Sequence, residues 1–198
     1  MESTKINLRS GVLLGLILLA AISRMLPHLH NFSPLGAISL FGAAYFSRKW
    51  QAILVPLVAT FCSDLYLNNV VYAAYFPRFT WFSFGLYWPF SSFFTYAAYA
   101  ATALIGFSLF RKVTAGRVVA GAVLSIVIFF VFTNFASWPN NPLYPQNATG
   151  LAACFAAGLP FIKGTVLGTA LYTPLLFGSF ALLQKQYPAL QRPYRLAA

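Results

Sequence analysis

Six long apolar runs, separated by polar, basic or proline-rich breaks, set the pattern of this chain: Gly11 to Met25, Pro34 to Phe46, Ala52 to Tyr66, Phe90 to Phe110, Val118 to Phe135 and Phe161 to Leu183. Each is read as a helix, and the second is the outlier. About thirteen residues make ~20 Å of helix at 1.5 Å per residue, short of a ~30 Å hydrocarbon core. Such a helix is tolerated where its end opens into a protein-lined cavity, because non-helical backbone at membrane depth finds hydrogen-bond partners only there.

The breaks are as informative as the runs. Pro27 closes the first helix, and Pro56 lies near one end of the third. Leu67 to Pro89 is aromatic and interrupted by Pro77 and Pro89, which predicts a long loop lying partly in the membrane interface, where Trp and Tyr concentrate. Loops of that length often act as lids. Pro139, Pro142 and Pro145 exclude regular helix from Ala136 to Thr149, and Gly150 to Leu159 reads as a short surface or re-entrant helix ended by Pro160. The expectation is one transmembrane domain over residues 1–198, an all-α bundle of six membrane-spanning helices.

Composition agrees with that picture. With 60% hydrophobic and 8% charged residues, the chain has too little polar surface to cover a water-soluble globule. Charge adds the topology. Among 13 Lys and Arg, Lys5 and Arg9 precede the first run, and Arg48 and Lys49 follow the second. Arg111, Lys112 and Arg117 separate the fourth from the fifth, and Lys185, Arg192 and Arg195 follow the last. Every second connection is basic. Because cytoplasmic loops carry the excess of Lys and Arg, the pattern predicts both termini in the cytoplasm of a multi-pass bacterial inner-membrane protein. The net charge of +11 flanks apolar spans instead of forming a polar stripe, so the expected counterpart is anionic lipid headgroups and not nucleic acid.

Three basic residues break the partition: Arg24, Arg78 and Lys163 fall on the predicted outer side, where Asp64, the only acid beyond Glu2, also lies. Between the first two runs, Arg24, His28, His30 and Asn31 place one cation, two imidazoles and an amide within eight residues. Held near Asp64 they would form a polar pocket at the rim of an apolar bundle; the plainer reading is an Arg24–Asp64 pair with Arg24 reaching toward the interface. Thr133-Asn134-Phe135-Ala136-Ser137-Trp138 ends the fifth run at the same face. There Asn134 offers donors and acceptors while Trp138 and Tyr144 offer flat apolar surfaces; helix capping and an interfacial belt are the alternative. Lys163 and Arg78 are candidate gate or rim residues, although Lys163 equally suits a headgroup contact.

Metal chemistry has little support. His28 and His30 are two apart, which turns the rings away from each other on a helix, and no Cys/His/carboxylate cluster completes a coordination set. Cys62 and Cys154 lie in apolar sequence and read as buried free thiols, with Cys62, two residues before Asp64, the alternative axial ligand to a metal-containing cofactor. No cofactor is expected. No phosphate-binding Gly-Lys-Ser loop, Ser/His/Asp arrangement or carboxylate pair is present, so an enzyme is not expected either. Gly11 and Gly15, four apart on the first helix, make a face that another helix can approach closely.

The stretch Pro27 to Ala37, with Ser63-Asp64-Leu65 and Thr133-Asn134-Phe135 ahead of Trp138, resembles a family of small bacterial membrane proteins of unassigned function. That family is similar to the substrate-binding S-components of energy-coupling factor transporters, including solitary members that act without an ATPase module. The resemblance implies a vitamin- or cofactor-scavenging protein with a loop-capped outer pocket built from Arg24, His28, Asn31, Asp64, Asn134, Trp138 and Tyr144. S-components dock their energising module through an Ala-x-x-x-Ala pattern on the first helix, a position that Gly11 and Gly15 hold here. Uptake of a small organic nutrient is the expected function; a structural or assembly subunit is the alternative, and a membrane enzyme using His28 with Asp64 comes third.

Overall fold

Every residue of Leu35–Tyr45 except Gly36 is buried, and the whole bundle is arranged around this 11-residue helix. The computed structural model describes residues 8–26, 29, 31–71 and 88–191. Seven α-helices run through them: α1 Leu8–Ser23, α2 Leu35–Tyr45, α3 Lys49–Tyr66, α4 Trp88–Leu109, α5 Ala115–Ser137, α6 Ala148–Gly158 and α7 Ile162–Gln186. No strand occurs among the described residues. A helix apolar on all sides must be enclosed, and α2 is enclosed by α1, α3, α4, α5 and α7.

In a membrane lipid tails are as apolar as leucine, so helix association depends on close approach and interhelical bonds. Small residues supply the approach: a Cβ on Gly106 of α4 would stand 2.6 Å from the Ala43 Cβ of α2. The α1 stripe that meets the bundle is Arg9, Leu13, Ile17, Ala20 and Ala21, one face at helical spacing. Gly15 is on another face, with nothing among the described residues within 4 Å of an added Cβ.

Three helical stretches are long and apolar enough to cross a membrane: Lys49–Val71, Ala115–Ser137 and Ala148–Gln186. They mark the chain as a membrane protein. The third has 39 residues, ~58 Å at 1.5 Å per residue and about twice a ~30 Å core. α7 alone, with 25 residues and ~37 Å, is enough. The joint between α6 and α7 is the 3-10 turn Leu159–Phe161 containing Pro160, as expected where proline ends a short helix.

Helix ends shift by up to three residues from the expected runs, and the end of α3 shifts further. The loop predicted to begin at Leu67 starts later, because α3 continues as a π-helical turn, Leu67–Val71. No proline precedes Pro77 to stop it, and the Asn69 side-chain amide donates to the Leu65 carbonyl at 2.7 Å. A side-chain donor at that carbonyl competes with the backbone ladder.

At one end of the bundle the start of α1, the end of α2 and the turn after α7 meet. Arg9, buried, donates to the Leu190 carbonyl at 2.7 Å and to the Tyr45 carbonyl at 3.2 Å, with its guanidinium 5.5 Å from the Phe180 ring centre. Below it Phe41, Tyr45, Phe177 and Phe180 pack edge-on or tilted at 4.5–5.7 Å. Through the chain's alternation Arg48, Lys49, Arg111, Lys112, Arg117 and Lys185 gather at this same basic end. The opposite, polar end holds the candidate site.

Candidate functional site

At the polar end Arg24 follows the last turn of α1, its backbone N–H on the Ala21 carbonyl at 3.2 Å. Its Nη1 lies 2.8 Å from Asp64 Oδ1 and also donates to Ser63 Oγ. The Tyr96 hydroxyl of α4 donates to Asp64 Oδ2 at 2.8 Å. Both carboxylate oxygens are thereby engaged, and α1, α3 and α4 are tied together at one point. The pair is largely withdrawn from the surroundings, with 13% of the Arg24 side chain and 25% of the Asp64 side chain exposed. Charge is neutralised inside the cluster, so it presents no net ionic field to a ligand.

Beside it is an open cavity of about 340 Å³. The loop before α2 contributes Asn31, α4 contributes Thr95, and the last two turns of α5 contribute Phe129, Phe130, Thr133, Asn134 and Ser137. Gly158, Phe161, Ile162 and Thr165 complete the wall from the α6–α7 joint. A much smaller recess of about 20 Å³ continues it toward the start of α2, where Ser33, Gly36, Tyr99, Ser125 and Thr169 join Asn31, Phe129 and Thr165. The short central helix thus ends beneath protein-lined space, the condition that its length imposed.

Local chemistry sets the wall. Thr133 and Ser137 return their hydroxyls to carbonyls four residues earlier, at 2.8 Å, the usual way a helix accommodates Ser and Thr among apolar residues. Asn134 does the same through Nδ2, on the Phe130 carbonyl at 2.8 Å, which leaves Oδ1 pressed against Gly158. A Cβ on Gly158 would stand 1.9 Å from that oxygen, so any larger residue there must push the Asn134 side chain aside. Asn31 has φ 59°, a left-handed conformation that asparagine adopts more readily than most residues. Its backbone path is held by α7, where a Cβ on Gly168 would meet Ser33 N at 2.6 Å.

A family model matches residues 4–190, nearly the whole chain. The chain belongs to DUF6580, a family of unknown function. No curated protein and no solved structure matches it.

In this DUF6580 member the predicted site residues separate into groups. Asn31 and Asn134, remote in sequence, line one cavity. Arg24 and Asp64 pair with each other and stand outside its lining. Trp138 also lies off the wall: it caps the end of α5, and its indole N–H donates to the Pro145 carbonyl at 2.9 Å. Gln146 braces the same loop, donating to the carbonyls of Trp138 at 3.1 Å and Tyr144 at 3.0 Å, so Trp138 and Tyr144 belong to a folded loop and not to the cavity. Lys163 is exposed, turned away by the helical period although its neighbours Ile162 and Thr165 face in. His28, His30 and Arg78 lie outside the described residues. Cys154 is buried, as expected, with its thiol 3.5 Å from the Asn134 carbonyl. Cys62 is exposed, contrary to expectation, because α3 turns it outward toward a groove beside α1.

The residues that sequence reasoning missed include Thr95, Tyr99, Ser125, Thr165 and Thr169. Single hydroxyls inside apolar helices leave no local signal; only their place on a common face, known once helix packing is known, singles them out.

Proposed function

We propose that this DUF6580 protein is a multi-pass transporter of the bacterial inner membrane. It binds a small organic nutrient at its outer face and carries it inward, in the manner of the S-components it resembles. In this reading α1 to α5 and α7 are six spans and both termini are cytoplasmic, the arrangement that the basic clusters favour. The observation that carries it is the cavity: about 340 Å³, within the range of small-molecule sites, assembled from four separate parts of the chain. No ionisable side chain is among its described lining residues, while amides, hydroxyls and three phenyl rings are. The group that enters is therefore uncharged, flat in part, and able to both donate and accept hydrogen bonds. A charged group would meet no counter-ion among the described lining residues, at a cost of several kcal/mol. Movement inward needs a second conformation that binds the compound less well. The open Gly15 face of α1 is where an energising partner would dock.

Native mass spectrometry of gently purified protein should find a retained neutral compound. Asn134→Leu and Thr165→Val, which keep side-chain size and remove polarity, should lower its occupancy by about tenfold each, the worth of one hydrogen bond of ~1.4 kcal/mol. Gly158→Ala, which must displace Asn134, should do at least as much. If these variants fold, and either retain the compound fully or never held one while a protein subunit co-purifies, transport is wrong and an assembly subunit takes its place.

A further inference from the structure

Between α5 and α7, with Tyr45 at the end of α2 in its lining, runs a second and larger space, a groove of about 870 Å³. Its walls are almost wholly apolar, with Val119, Val123 and Ile126 on α5 facing Val166, Ala170 and Phe177 on α7. On α5 the groove extends from Ala115 to Ile126, about 17 Å, and on α7 from Gln184 to Val166, about 27 Å. Both exceed the ~15 Å half-thickness of a ~30 Å core, so an extended acyl chain of one leaflet fits along it.

Charge at the mouth decides what kind of chain. Val113, Thr114 and Ala115 form the rim on the turn between α4 and α5, and Gln184 forms it on α7. Arg111, Lys112 and Arg117 surround the first rim and Lys185 adjoins the second; all four are exposed. Arg117 arches over the turn, its Nη1 near the carbonyls of Leu109 at 3.3 Å and Lys112 at 3.4 Å. The chain has only two acids to set against them, Glu2 and Asp64, and Asp64 is held by Arg24 at the far end of the bundle.

We infer that the α5–α7 groove is a docking site for an anionic phospholipid, with one acyl chain lying between the helices and the phosphate among Arg111, Lys112, Arg117 and Lys185. An apolar channel of leaflet length that opens at four cations matches that one molecule at both its ends. A zwitterionic lipid would match only the channel.

The test uses the full chain in mixed micelles containing equal phosphatidylglycerol and phosphatidylcholine, with bound lipid counted by native mass spectrometry. Wild type should retain phosphatidylglycerol in clear preference. The preference should fall roughly fivefold for each of Arg111→Gln, Lys112→Gln and Lys185→Gln, about the effect of one surface cation on an anionic lipid. Ala170→Phe, an exposed position that fills the channel without touching the cations, should release both lipids. Equal retention of the two lipids, an unchanged preference in the triple Gln variant, or full retention by Ala170→Phe would each overturn the inference. So would displacement by sn-glycerol 3-phosphate alone, which would mean a phosphate site, or a lipid-independent dimer lost on Ala170→Phe, which would mean a second copy in the groove. A melting curve of each variant separates loss of lipid from loss of fold.

Discussion

At the basic end one buried cation, Arg9, points its donors at two main-chain carbonyls and covers a phenyl ring; at the polar end Arg24 is held by side chains, those of Asp64 and Ser63, with Tyr96 on the other carboxylate oxygen. Main-chain acceptors cannot titrate or change rotamer. Side-chain acceptors can do both. Beneath Arg9 four rings pack against one another, whereas at the polar end Thr95, next to Tyr96 on α4, lines an open cavity. A fold that fastens one end with fixed partners and the other with movable ones has decided where it can open.

Breaking the fixed end should have the largest effect. Arg9→Ala would leave the Leu190 and Tyr45 carbonyls without this donor in a low-dielectric setting, and a loss of about 3 kcal/mol is expected from two charge-assisted bonds. Thermal melting in detergent measures it, and Arg9→Lys should restore only part, because an ammonium lacks the planar fork that reaches both carbonyls. An Arg9→Ala protein that melts with wild type would mean that the two ends are fastened alike.

Breaking the movable end should cost less. Asp64→Ala and Arg24→Ala each strand one partner of a pair that is still partly open to its surroundings, and about 2 kcal/mol apiece is expected, below the range for fully buried pairs. The double variant should cost less than the two summed, by at least ~1 kcal/mol. Strict additivity in the same melting assay would show that the 2.8 Å contact contributes nothing.

The smallest effect belongs between the ends. Thr173 on α7 is buried, and its hydroxyl has no hydrogen-bond partner among the described residues. Replacement by the isosteric Val removes a stranded polar group, so Thr173→Val should raise stability by up to about 1 kcal/mol. A loss of that size would mean that the hydroxyl is engaged when the protein is in lipid.

How legible this was in the sequence depended on the range of the signal. Pro160 and the short second run are local features, and they marked a helix joint and a buried helix. The Arg24–Asp64 contact was readable because the chain offers so few charges that the partners at one end could be paired by elimination. Arg9 was read as a topology marker alone; nothing nearby in sequence announces that its acceptor lies 181 residues away. Trp138 was drawn into the pocket because aromatic residues often line pockets, but Pro145, seven residues on, captures its indole. The cavity wall depended on which hydroxyls share a face, a property of helix packing that no window of sequence contains.

The contact between Arg9 and Leu190 also orders the birth of the protein. A ribosome delivers Arg9 near the start and Leu190 only after all seven α-helices described here, so the cation is made long before one of its acceptors exists. The Tyr45 carbonyl is made early, whereas the tie across to the turn after α7 must wait until residue 190 is made. Joining the start of α1 to the turn after α7 is thus a late event in synthesis, and a chain truncated before Leu190 lacks that tie while keeping the one to Tyr45.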